Sequence, residues 1–379
     1  MNFIFLDSSN NYPFKYSAGN TKIEFMARSL IKMGDSVCVF NSRSGYEKVN
    51  IIGRTDDNVD YILYKKGGCI QYLKNILFQC KLIRQRKRKD NNYAVLASTS
   101  FFLMLFDIIY CRLCGYRVLF LLHELRTTIR TNKSFLEYLD CWLQDHVIGF
   151  FANAILPISH YLWDFSTKFH KPRMMVPILS DFINQNYSIT THEEKYFAYC
   201  GSIEYLDIIE IIISALKETH DQSLKLIMIL YGSHKKITNL KAKYQDKQIY
   251  FLQDVPTEKL SEIYSKSLAL VIPLNPKSLQ DKIRFSQKIA EYLSSGRPII
   301  TINYGEILYY FRNMENAFVL DNFNSESLSQ TMLFARDNPQ ITSRIGEEGY
   351  KLGMNYFNSQ KVMIALRQFL LEKVNKHSK

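Results

Sequence analysis

The sequence predicts an α/β protein built from two doubly wound, Rossmann-like domains facing each other across a cleft. Three observations carry this. A length of 379 residues suggests two domains at roughly 100–200 residues each. Apolar runs of strand length alternate with amphipathic stretches almost throughout, the pattern of parallel sheets wrapped by helices. The alternation then restarts after "HKPRMMVPILSDF" (His170–Phe182), which leaves two series of similar size. Hydrophobic residues make up 47% of the chain and aromatics 14%, enough for large cores and far from the disordered regime. The expected organisation is an N-terminal Rossmann-like domain over 1–178 and a C-terminal Rossmann-like domain over 179–358. A final helix over 359–379 is expected to pack back towards the first domain.

In the first series "NFIFLD", "DSVCVFN", "VDYILY", "YAVLAST", "RVLFLLHE" and "NAILPIS" read as strands. The opening "MNFIFLDSSNNY" lacks a basic stretch before its apolar run, so it reads as a buried strand rather than a secretory leader. "GNTKIEFMARSLIKMG" is an amphipathic helix: Ile23, Met26, Ala27, Leu30 and Ile31 share one face and Gly34 ends it. "FFLMLFDIIYC" (Phe101–Cys111) is too short to span a bilayer and carries Asp107, so a buried helix is expected there rather than an interfacial one. The second series supplies the strands "YFAYCGS", "LKLIMILYGS", "IYFLQDV", "LALVIPL", "PIITINY" and "AFVLDN". Its helices include "DIIEIIISALKET" and "SQKIAEYLSS".

Seven scattered cysteines suit a reducing cytosol better than a disulfide scaffold. Cys111 and Cys114 form a C-x-x-C that lies inside an apolar pattern, with no second pair to complete a zinc site, so no metal is expected. The net charge of +12 is uneven. Residues 1–178 hold 24 Lys and Arg against 14 Asp and Glu, and residues 179–379 hold 24 against 22. The densest cluster, "KLIRQRKRK" (Lys81–Lys89), follows an apolar helical pattern. It suits an anionic membrane surface or a phosphate-bearing partner, or else is a solvated loop. No nucleic-acid module accompanies the charge.

Ligands of open α/β sheets bind beyond the carboxyl ends of strands, where helix N-termini present free N–H groups. Five loops stand there. "YSAGNT" places Gly19 between the first strand and first helix, with Ser17, Asn20 and Thr21 able to cap or bind. It has neither a G-x-G-x-x-G fingerprint nor a G-x-x-x-x-G-K-[ST] loop. "LLHELRTT" sets His123 and Glu124 at the end of an apolar strand; Arg126 and Arg130 beyond it read as solvated, or as holding an acceptor. "YCGSIE" brings Gly201 and Ser202 to the first turn of the second domain, and "YGSHKK" follows another strand.

The fifth loop runs into "RFSQKIAEYLSSGRPII" (Arg284–Ile300). Ser286 is a candidate N-cap that leaves the N–H groups of Gln287, Lys288 and Ile289 to meet an anion. Arg284 and Lys288 can add charge-assisted bonds. Glu291, one turn past Lys288, is placed either for two vicinal hydroxyls of a ribose or for a surface pair with Lys288 worth ~0.3–0.5 kcal/mol.

This stretch resembles the donor-site segment of GT-B glycosyltransferases of the retaining family 4 type, as found in bacterial polysaccharide synthesis. Arg284, Phe285, Lys288, Glu291, Tyr292, Leu293, Gly296, Arg297, Pro298, Ile299 and Ile300 match the pattern, with Ser286 where proline is common. The order of the other turns follows the same family over nearly the whole chain. The resemblance implies sugar transfer from a nucleotide-sugar donor to a lipid-linked or glycan acceptor, with retention, in surface-polysaccharide assembly. The cytoplasmic enzyme would touch the inner membrane through Lys81–Lys89. The resemblance also implies that the domain over 1–178 binds the acceptor and the domain over 179–358 binds the nucleotide sugar, where Glu291 would bind the ribose. The backbone at Ser286–Lys288 and the Gly201–Ser202 turn would take the diphosphate, Gly19 would approach phosphate or acceptor, and His123 would reach the sugar. No cofactor or metal is implied, because helix dipole and basic side chains would stabilise the leaving diphosphate.

Two departures are visible. Ile283 stands where the family's E-x7-E motif has its first Glu, and "GSIEYLDIIE" lacks the usual Arg and Lys after the first strand of the second domain. Phosphate charge would then fall to Arg284, Lys288 or Lys282. Two alternatives follow: a catalytically silent GT-B-like partner of another transferase, and a sugar-nucleotide epimerase.

Overall fold

The computed structural model describes residues 1–9, 11–15, 17–97, 100–129, 133–182 and 195–375. The chain forms two compact units. The first comprises Met1–Leu179, the short piece Ile283–Gln287 and the residues from Ser359 onward; the second comprises Ser180–Lys282 and Lys288–Asn358.

The first unit begins with β1 (Asn2–Ser9), α1 (Ala18–Lys32), β2 (Ser36–Asn41), β3 (Ile51–Arg54) and β4 (Asp60–Leu63). Then come α2 (Cys69–Arg86), β5 (Asn92–Leu96), α3 (Phe101–Leu113), β6 (Arg117–Leu122), α4 (Phe135–His146), β7 (Ala154–Pro157) and α5 (His160–Phe165). Its seven strands lie in the order β3-β4-β2-β1-β5-β6-β7. All described pairs are parallel except β3 with β4. Strands buried on both faces must be apolar throughout, which is why β1, β5 and β6 read as continuous hydrophobic runs. Right-handed crossovers decide the layers. The connection through α1 runs from β1 towards β2, while α2, α3 and α4 carry the chain the opposite way, so α1 covers one face and those three cover the other.

The second unit holds β8 (Lys195–Ser202), α6 (Leu206–Glu218), β9 (Leu224–Tyr231), α7 (His234–Lys243), β10 (Ile249–Leu252), α8 (Thr257–Ser265) and β11 (Ala269–Val271). α9 (Leu279–Ile283) and α10 (Gln287–Ser294) follow, then β12 (Ile299–Ile302), α11 (Ile307–Tyr310), β13 (Phe318–Leu320), α12 (Ser325–Asp337) and α13 (Pro339–Tyr356). Six strands in the order β10-β9-β8-β11-β12-β13 form its sheet, all parallel. Both sheets are doubly wound. The strand order reverses beside β1 in the first and beside β8 in the second, and those switch points are where such sheets leave a crevice for ligand.

The last helix, α14 (Ser359–Phe369), packs on α1 of the first unit. The Ser29 hydroxyl donates to Ser359 Oγ at 2.9 Å, and Met363, Leu366 and Leu370 fill the core under α1. Two sequence expectations change in this unit. Lys81–Arg86 are the last turns of α2 rather than a loop, with Arg86 bonded to Asp60 at 2.7 Å. α3 is buried on only one side: Phe101, Met104, Ile108 and Cys111 face the core, while Phe102, Phe106, Ile109 and Leu113 are exposed. The helix carries two apolar stripes, and continuous hydrophobicity hid the second.

Candidate functional site

In the second unit, the register of β8 on β9 ends with Ser202 opposite Tyr231, so the Gly201–Ser202 turn and Tyr231 share one carboxyl edge. The Ile203 N–H donates to the Tyr231 carbonyl at 2.9 Å and the Glu204 N–H to Ser202 Oγ at 3.2 Å, closing the turn. A side chain at Gly201 would run into the hydroxyl end of the Tyr199 ring, two residues back on the same face of β8, so a larger residue here has to displace that ring.

α10 is anchored to the same edge. β11 pairs with β8 only as far as Ala198. Beyond it the Cys200 N–H donates to the Tyr292 hydroxyl at 2.8 Å, and the Tyr292 ring stands edge-on to Tyr264 at 4.9 Å. This pins the helix so that Lys288 Nζ lies 5.4 Å from the centre of the Tyr231 ring. Burial first, and then Cys200, push the Tyr231 phenol upward; Lys288 opposes them and Glu291 adds to the rise. Tyr231 is therefore a neutral hydroxyl, and Gly201, Ser202, Lys288 and Glu291 sit with it at one strand edge. The loop before α10 is braced by Asp281, which is buried and accepts the Asn275 N–H at 2.9 Å.

The piece Ile283–Gln287 is held within the first unit. Ser159 Oγ donates to the Ile283 carbonyl at 2.5 Å. The Gln287 side chain brackets the Leu179 backbone, accepting its N–H at 3.2 Å and donating to its carbonyl. Gln287 thus offers a ligand its backbone N–H, not its amide. α10 begins at Gln287, which leaves Ser286 at the N-cap position and Arg284 half-buried two residues before it. Ile283 is fully buried, so the position that differs from the E-x7-E pattern is occupied by core packing.

At the carboxyl edge of the first sheet, Gly19 lies inside the first turn of α1 rather than in a turn before it. Ser17 caps the helix by accepting the Asn20 N–H at 3.1 Å. That bond leaves the N–H groups of Ala18 and Gly19 outside the intrahelical ladder. His123 directly follows β6 and is half-buried, with its Nε2 closed to solvent and making no hydrogen bond among the described residues. Its proton affinity is driven well down by burial and then by Lys22, so the ring is neutral.

Lys22 is a residue that the sequence reading passed over. It is 2% exposed, donates to the Val176 carbonyl at 2.7 Å, and burial lowers its own affinity for a proton. A signal was present: Lys22 occupies the buried stripe of α1 four residues before Met26, where an apolar residue belongs. Arg126, read as solvated, is instead tied to α4. Its N–H donates to Asp145 at 2.9 Å and its guanidinium to Gln144 at 3.3 Å. Arg130 lies outside the described residues. All seven cysteines are free, and among the described residues no three His, Cys, Asp or Glu side chains gather as a metal site.

Comparison with known proteins adds the rest. Residues 183–352 match the family model of glycosyl transferases group 1. No curated protein sequence matches the chain. Among solved structures, the sucrose-phosphate synthase of Thermosynechococcus elongatus superposes with a TM-score of 0.76 at 12% identity over 100% of both chains. HepE of Anabaena in complex with UDP-glucose gives 0.70 at 11% identity, over 98% of this chain and 99% of that one. WaaG, a glycosyltransferase involved in lipopolysaccharide biosynthesis, gives 0.63 at 12% identity, over 96% and 99%. The shared fold is the GT-B fold of two Rossmann-like domains.

Proposed function

We propose that this chain, which has the GT-B fold and whose residues 183–352 match the group 1 glycosyl transferase model, is a glycosyltransferase that moves a sugar from a nucleotide-sugar donor to a lipid-linked or glycan acceptor with retention of configuration. Bacterial surface-polysaccharide assembly, on the cytoplasmic side of the inner membrane, is the setting that best fits such an acceptor. The observation that carries the reading is the convergence of the Gly201–Ser202 turn, Tyr231, Lys288 and Glu291 at one strand edge of that domain.

In this reading the donor diphosphate lies against the first turn of α10. The N–H groups of Gln287, Lys288 and Ile289 meet it there, and Arg284 and Lys288 add charge. The Gly201–Ser202 turn lets the diphosphate approach, and Glu291 accepts the ribose hydroxyls. The bond from the anomeric carbon to the diphosphate breaks, the acceptor oxygen bonds to the same face, and its proton passes to the departing phosphate oxygen. Helix end and basic side chains, rather than a metal ion, are assigned the developing charge. Neutral His123 is assigned a sugar hydroxyl, and Gly19 a phosphate or the acceptor.

The test is calorimetry with UDP, GDP, ADP and dTDP sugars, followed by transfer assays on membrane-extracted acceptors. Binding and turnover with one donor support the reading. No binding to any of them, or donor conversion without acceptor, overturns it.

A further inference from the structure

The outer layer of the first unit carries an apolar surface that the fold itself does not use. α2, α3 and α4 lie side by side on one face of the sheet. Tyr110 of α3 donates to the Cys80 carbonyl of α2 at 2.9 Å, and Gln144 of α4 donates to Met104 Sδ of α3 at 3.2 Å. Each helix buries one side, and each turns a second apolar stripe outward. On α3 this is Phe102, Phe106, Ile109 and Leu113, whose spacing of four, three and four residues is a single helical face. Phe102 is 68% exposed and Leu113 80%. Phe135, Leu139 and Trp142 repeat the pattern on α4, and Ile70, Leu73 and Leu77 on α2. Scattered exposed apolar residues are ordinary; aligned stripes on three neighbouring helices are not.

Charge says what this face meets. The outward stripe of α2 continues past Leu77 into Lys81 and Arg84. A side chain at Gly115 would meet Lys87 Nζ at 3.0 Å, which places that ammonium beside the end of α3. There Arg112, next to Leu113, helps line a cavity of about 300 Å³ with His170, Lys171 and Lys373, and no carboxylate lines it. An apolar aromatic face edged by cations matches the boundary of an anionic bilayer, with acyl chains under the headgroups and phosphates above. The cations gather at the carboxyl ends of α2 and α3, while the exposed Glu137 lies at the opposite end of the face, in the first turn of α4. An apolar face with cations concentrated at one end suits lipid phosphates better than a second copy carrying the same charge. Among the described residues no helix is long and apolar enough to cross a membrane, so the contact is peripheral.

We propose that the α2–α3–α4 face docks on an anionic lipid surface, its apolar stripes entering the headgroup boundary and its basic edge meeting lipid phosphates. This deepens the reading of a lipid-linked acceptor and rests on it for its purpose. It also moves the contact from Lys81–Lys89 alone to a face in which aromatic insertion dominates.

The test uses the full chain and phosphatidylcholine vesicles with or without about a third phosphatidylglycerol. Wild type should sediment with the anionic vesicles. The combined Phe102→Ser, Phe106→Ser variant should partition at least about tenfold more weakly, with its circular dichroism and melting unchanged. In a Trp163→Phe background Trp142 is the only indole. Its emission should shift blue on vesicle addition and be quenched by brominated acyl chains. No sedimentation, equal sedimentation of the variant, or a dimer that the same substitutions dissolve would each overturn the proposal. Nucleotide calorimetry on the same sample separates the two readings: intact donor binding without vesicle binding sinks only the membrane face, and the reverse result sinks only the donor site.

Discussion

Asp107 interrupts an apolar run, and its partner is found only in the folded chain. Arg43, 1% exposed, meets it with two bonds of 3.2 and 2.7 Å, while Gln79 donates to it at 3.3 Å and accepts from Tyr64 at 2.7 Å. Removing one partner leaves a buried uncompensated charge. Asp107→Ala should therefore cost about 3–5 kcal/mol in urea unfolding, more than the double change with Arg43→Met. His123 and Lys22 act in the other direction. Folding lowers the proton affinity of both, so the unfolded chain takes up protons that the folded chain refuses. Stability is present above the unfolded values and falls on acidification. Between about pH 7 and pH 5, where a free imidazole titrates, wild type should lose melting temperature and His123→Gln should lose less of it. At the proposed donor edge, Glu291→Ala should weaken nucleotide binding by about 1–3 kcal/mol by calorimetry without unfolding the chain. Unchanged affinity would remove the ribose assignment. The candidate residues at this edge were legible because type and spacing coincide in one short stretch. Lys22 was not, because a lysine on an otherwise apolar helical face looks like an error of pattern until its burial is seen.

Elements were legible where periodicity was pure. β1, β5, β6 and β8 could be read from apolar runs, and α1 from its single stripe. α3 could not, because a helix apolar on both sides has no polar face to say which side is out. The placing of α10 also lay beyond the sequence. It depends on Tyr292 supplying a hydroxyl where β11 stops pairing. Tyr292→Phe removes the acceptor of a buried N–H and should destabilise the second unit by roughly 1–3 kcal/mol. Donor affinity should fall with it, because Lys288 and Glu291 ride on the same helix. A melting scan paired with nucleotide titration would show both effects, and loss of only one would mean that the hydroxyl does not position the helix.

At the scale of the whole molecule, a bound nucleotide should raise stability by about 2.7 kcal/mol at a hundredfold excess over its Kd. Hydrogen exchange should report where. Protection is expected to increase at the ends of β8 and β9 and in the first turn of α10, and to stay unchanged where α14 packs on α1. Equal protection in both units would argue against a donor held mainly by the second. The sequence by itself determined the two-unit α/β architecture, because alternating apolar runs and amphipathic helices can bury their faces only as layered parallel sheets. It also determined the segment 284–300 as the place to look for a donor. Only the tertiary structure decided which side of α3 is covered, that the Tyr292 hydroxyl meets the Cys200 N–H where β11 stops pairing, and that the half-buried His123 feels the buried Lys22. Those facts depend on residues distant in sequence meeting in space, and a local pattern carries no record of its partners.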